Sequence, residues 1–106
     1  MSRALPAAEQ EAIKKVLGRY EPDGVRYHAL RTRAAGARSF ISLHVLVPGD
    51  WSVQRGHDLL ENVVRDLREA VPGSAVFTHL EPIDDPAARE DQDLDSTHDK
   101  IGSRKI

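Results

Sequence analysis

The 106 residues carry 15 Lys and Arg against 17 Asp and Glu, a formal charge of −2, and this near-balance argues against a surface built to neutralise nucleic-acid phosphates. Leu, Ile, Val and Phe make up about a quarter of the chain, enough for one small core. The absence of cysteine excludes disulfides and thiolate metal sites and leaves any transition metal to His and carboxylate ligands, while no apolar run is long enough for a membrane span or secretory signal, which points to the cytoplasm.

Residues 5–20 read as a helix, with Ile13, Val16, Leu17 and Tyr20 recurring at three and four spacing against Glu9, Glu11, Lys14, Lys15 and Arg19. Pro6 suits its first turn, and Glu21-Pro22-Asp23-Gly24 ends it. Two strand-like runs follow at 25–33 and 39–47, joined by a glycine-containing linker at 34–38, and they predict an antiparallel hairpin. In the second run Ile41, Leu43, Val45 and Val47 alternate with Phe40, Ser42, His44 and Leu46, so one face is apolar and the opposite face carries His44. A hairpin turning symmetrically about Gly36 places His28 opposite His44, and a one-residue slip would put them on different faces.

Pro48-Gly49-Asp50 closes the hairpin, and Asp50 or Ser52 can cap a second helix running to about Ala70. Its stripe is Val53, His57, Leu60, Val63, Val64 and Leu67. After Pro72-Gly73-Ser74, residues 75–81 read as a third strand with His79 and Glu81 on one side. Residues 84–106 hold seven acidic against four basic side chains without apolar period, and read as an acidic disordered tail. The ordered part, residues 1–83, is therefore an α+β domain: a ferredoxin-like αββαβ sandwich, with a three-stranded sheet and two helices on one face.

Four histidines, His28, His44, His57 and His79, together with Glu81, offer the nitrogen and oxygen donors that zinc accepts in a tetrahedron. Four of these have a plainer role: hydrogen-bonded strand histidines for His28 and His44, packing against its own stripe for His57, and a strand terminus for Glu81; the fifth histidine, His98 in the acidic tail, is expected to be solvent-exposed and idle. No closely spaced ligand pair selects between these roles on its own.

The segments His28-Ala29-Leu30-Arg31-Thr32-Arg33, Phe40-Ile41-Ser42-Leu43-His44, Val53-Gln54-Arg55-Gly56-His57 and Phe77-Thr78-His79-Leu80-Glu81-Pro82 decide more in combination. Together they resemble the cytoplasmic C-terminal domain of the cation diffusion facilitator family, the zinc and iron efflux proteins, over residues 5–83. The resemblance implies a homodimer of ferredoxin-like domains whose positions matching His28, His44, His57, His79 and Glu81 are cation ligands. The family more often has aspartate where this chain has Glu81, and an acidic residue where it has Ala29. Asp50, Trp51 and Asp58 are accessory candidates, with cap, packing and helix-dipole roles as alternatives. Arg31, Arg33 and Arg38 cluster around the hairpin end and read as a solvated rim, with a surface facing the membrane domain, anionic lipid or the partner subunit as the alternative.

The function expected from the resemblance is cytosolic zinc binding and dimerisation that regulate a cation efflux transporter. Its membrane domain would be the partner, and metal would favour the closed dimer. Other divalent transition metals fit the same donors. No enzymatic activity, nucleic-acid binding or direct membrane insertion is expected. A free-standing zinc-binding or small-molecule regulatory module is the alternative, with a binuclear zinc hydrolase behind it.

Overall fold

The computed structural model describes residues 2–84. The acidic tail expected at 84–106 therefore lies, beyond Asp84, outside the described residues. The chain runs β1 (Ser2–Arg3), α1 (Ala7–Gly18), a 3-10 turn (Glu21–Asp23), β2 (Arg26–Ala35), β3 (Arg38–Val47), α2 (Val53–Ala70) and β4 (Ser74–Pro82). The two helices and three long strands expected from the sequence are all present. The added β1 pairs Ser2 with Ala35 and Arg3 with Ala34 at the sheet edge, and a two-residue strand is too short to leave a periodic signature.

Helix α1 buries Ile13, Val16 and Leu17, the stripe its spacing dictates. Pro6 stands one residue ahead of it as the N-cap. Gly24, at φ +93°, closes the 3-10 turn in a left-handed conformation that side chains resist. Helix α2 starts on Ser52, whose Oγ accepts the Arg55 backbone N–H at 3.0 Å, so Ser52 rather than Asp50 supplies the cap. It buries Gly56, Leu59, Val63 and Leu67. A methyl group on Gly56 would lie 2.8 Å from Leu80 Cδ2, and the missing side chain is what lets α2 settle onto β4.

The sheet order is β1-β2-β3-β4, with β2 and β3 antiparallel and β3 and β4 parallel. The parallel pair requires a crossover, and α2 supplies it. Ile41, Leu43, Val45 and Val47 point toward the helices and join Ile13, Val16, Leu17, Leu59, Val63 and Leu67 in one core. Both helices thus cover one face. The opposite face, bearing Phe40, Ser42, His44 and Phe77, has no layer over it among the described residues.

A polar tie holds α1 against α2. The Tyr20 hydroxyl donates to the Asp66 carboxylate, while Arg19 Nη1 and Arg65 Nη2 stand 3.5 and 3.3 Å from the same group. Burial, and then the bond to Asp66, push the Tyr20 phenol from 10.0 up to about 12. The donated hydrogen bond holds Asp66 below the usual carboxylate range. The depressed carboxyl contributes stability that is present above its unfolded pKa and lost as pH falls through its folded one. The raised phenol contributes stability that is present below pH 10.0 and lost as pH climbs toward about 12. Tyr20→Phe is expected to cost roughly 1 to 3 kcal/mol at neutral pH. Urea unfolding at acid, neutral and alkaline pH should show both limbs flattened in the variant, and unchanged limbs would refute the role of this tie.

Candidate metal centre

The uncovered face owes its His28 side chain to one irregularity in β2. From Ala35 opposite Arg38 to Arg31 opposite Ser42 the hairpin ladder is regular, closing on a two-residue turn with Gly36 at φ +61°. The register then shifts between His28 and Arg31, so Ala29 and Leu30 together oppose Leu43. This is a β-bulge, and its first residue, Ala29, takes φ +58° in the left-handed region. Without the extra residue taken up there, His28 would face Val45 and point into the core side. With it, His28 sits opposite His44. The sequence does carry a trace of the bulge, because Tyr27 and Leu30, both on the helix side of the sheet, are three apart where a regular strand would separate residues of one face by two.

Parallel pairing of β3 with β4 places His79 beside His44 and Glu81 beside Leu46. Three imidazoles consequently form one row across three strands, with Glu81 one step along. Ring centroids of His28 and His44 are 4.8 Å apart in a T-shaped arrangement, and those of His44 and His79 are 5.0 Å apart. The Glu81 carboxylate lies among them: Oε1 is 3.5 Å from His28 Nε2, and Oε2 is 3.6 Å from His44 Nδ1 and 3.5 Å from His79 Nε2. Side-chain exposure rises along the row, from 7% at His28 to 26% at His44 and 52% at His79, with Glu81 at 4%.

These separations suit metal ligation better than direct hydrogen bonding, which prefers 2.7–3.2 Å. Ligands at zinc distances of about 2.0–2.2 Å, arranged as a tetrahedron, stand roughly 3.3–3.6 Å from one another. One donor atom each from His28, His44 and Glu81 falls within 4.8 Å of the others. Neither nitrogen of the buried His28 ring makes a hydrogen bond, which is costly for a polar group out of water unless another ligand satisfies it. The donor set of imidazole nitrogens and a carboxylate is one that zinc accepts.

His57 is not part of this cluster. It projects from α2, on the opposite side of the sheet, where its Nε2 lies 3.5 Å from Glu61 Oε2 one helical turn on and the side chain is 58% exposed. Asp58 accepts a 2.9 Å hydrogen bond from Gln54, and the Trp51 ring is covered by the Arg55 guanidinium at 3.9 Å. Asp50 is exposed in the loop ahead of α2.

Residues 5–83 match the model for the cytoplasmic domain of cation efflux proteins. The chain belongs to that family. An uncharacterized transporter of Synechocystis sp. is 52% identical over 93 residues, covering 88% of this chain and 30% of that protein. The cation-efflux pump FieF of Pectobacterium atrosepticum is 33% identical over 84 residues, covering 78% of this chain and 27% of the pump. The chain thus spans less than a third of the curated relatives it matches. Among solved structures, the Zn form of the zinc transporter domain CzrB superposes with a TM-score of 0.65 at 37% identity, over 78% of this chain and 94% of that one. The cation efflux domain therefore has the ferredoxin-like fold of its cation diffusion facilitator relatives. No described helix is long and apolar enough to cross a membrane.

Ala29 provides a test of how the domain positions His28. An L-residue in the left-handed region costs about 1–2 kcal/mol, which glycine avoids. Ala29→Gly is expected to raise stability by roughly 1 kcal/mol in metal-free urea unfolding, with Ala29→Val lowering it. Destabilisation by glycine would mean that the bulge is not strained.

Proposed function

We propose that this chain is the cytosolic cation-sensing and dimerisation domain of an efflux transporter, with His28, His44, His79 and Glu81 as its metal ligands and zinc as the leading ion. The observation that carries this reading is the buried Glu81 carboxylate, held 3.5–3.6 Å from three imidazoles, at the spacing expected of ligands sharing an ion. A bound divalent cation would set positive charge against the buried Glu81 carboxylate and link three strands through their side chains. Fe(II), Co(II) and Mn(II) suit the same donors less selectively.

His57 faces away from this set within its own chain, so in this proposal it acts as a ligand only when a second copy presents it. That requirement couples metal occupancy to dimer geometry. A ligand shifts a conformational equilibrium only by its differential affinity, and a site completed across two subunits has higher affinity in the closed arrangement than in the splayed one. The transmembrane domain of a transporter is the partner that would read out closure. The chain itself is proposed to bind without catalysing a reaction.

Native mass spectrometry with and without added zinc reads subunit and metal count together. Zinc is expected to shift the population toward a metallated dimer. His44→Ala should weaken zinc binding by at least about tenfold, the scale of losing one metal contact, while His98→Ala should leave it unchanged. His57→Ala should reduce zinc-dependent dimerisation more than the affinity of the first ion. Equal losses in the His44 and His98 variants would remove the cluster from consideration. Imidazole ligates as the neutral base, so calorimetric zinc affinity should be lower at pH 5.5 than at pH 7.5. Equal affinities would contradict histidine ligation.

A further inference from the structure

The hairpin turn forms a basic tip at the end of the sheet away from the histidine row. Residues 24–49 hold four arginines and no Asp or Glu, although the chain as a whole is −2, so the remainder is acidic on balance. Positive charge is therefore segregated within the chain. Arg33 and Arg38 lie within three rungs of the turn, and their guanidinium carbons stand 4.1 and 5.9 Å from the centroid of one ring, Phe40. Arg3, which lies far from the hairpin in sequence, joins them because β1 pairs with Ala34 and Ala35. Its Nη2 donates to the Gly36 carbonyl in the turn at 3.3 Å. All three arginines are exposed, and none of them forms a salt bridge among the described residues.

A guanidinium seated over an aromatic ring keeps its N–H edge for phosphate oxygens. The turn residues Gly36 and Ala37 have no bulky side chain to hold the three cations away from a flat surface.

We infer that the tip formed by Arg3, Arg33 and Arg38 rests on the anionic headgroups of a bilayer, by electrostatic adsorption without insertion. The cytosolic domain of a transporter, the reading proposed above on which this rests, works beside such a surface. An anionic leaflet raises binding about fivefold for each arginine near it, so three together are worth roughly a hundredfold over an uncharged bilayer. Repulsion of the acidic remainder reduces that gain and turns the domain tip-first. Like charge on both tips disfavours a second copy as the occupant.

The test mixes the full chain, in chelator so that metal binding plays no part, with phosphatidylcholine vesicles with or without phosphatidylglycerol. Sedimentation is expected to show at least about tenfold tighter binding to the anionic vesicles, lost in about 0.5 M salt as screening shortens to a few ångströms. Arg3→Gln, Arg33→Gln and Arg38→Gln together should remove the preference, while the three lysine replacements keep it within about threefold. A control of equal charge, Lys14→Gln, Lys15→Gln and Arg68→Gln, should leave it within about twofold. All these side chains are exposed, and matched urea midpoints verify folding. Nitroxide on the lipid headgroup should broaden the amides of Gly36 and Arg38 more than that of Val53, which is 88% exposed at the opposite end of the sheet. No preference for anionic vesicles, equal loss in the two glutamine triples, or equal broadening at both ends overturns the inference. Release of the bound protein by millimolar inorganic phosphate at constant ionic strength would make a free anion the ligand and overturn it as well.

Discussion

Taking a carboxylate out of water costs several kcal/mol unless positive charge or strong donors accompany it, and Glu81 is the one charged residue buried among the described residues. Its position dictates the rest of the uncovered face. Imidazoles surround it from its own strand and the two beyond: His79 on β4, His44 on β3 by parallel pairing, and His28 on β2 through the bulge. All three stand 3.5–3.6 Å from the carboxylate. An apolar residue at this position would pack more cheaply, so the burial of Glu81 is the feature that supports the proposed cation site on this face.

The fold was largely legible because its determinants are local. The three-and-four spacing of Ile13, Val16 and Leu17, and the strict alternation from Phe40 to Val47, each specify an element and its buried side without reference to the other strands. Glycine and proline at 22–24, 48–49 and 72–73 mark the connections. What escaped the pattern was β1, whose two residues are defined only by their partners Ala34 and Ala35.

The site was legible in a less direct way. The opposition of His28 and His44 follows from a hairpin symmetric about Gly36, yet the actual turn pairs Ala35 with Arg38, one residue off that symmetry. The bulge at Ala29–Leu30 returns the missing residue, and the two departures cancel at His28. Register arithmetic reached the pair without seeing the left-handed alanine that creates it, since backbone conformation at a single residue leaves little trace in composition. His57 shows the opposite limit. Its type and spacing fit a ligand set, but helix α2 lies across the sheet from the cluster, and no property of the sequence distinguishes a ligand for its own chain from one for a neighbour. The resemblance to cation efflux domains supplied the combination that individual histidines could not.

The rising exposure from His28 through His44 to His79 gives the centre a direction. In the proposed site an arriving ion would meet the half-open His79 ring at the β4 edge before the sealed His28 ring at β2. The innermost ring, held by the bulge, would then set how deep the ion rests.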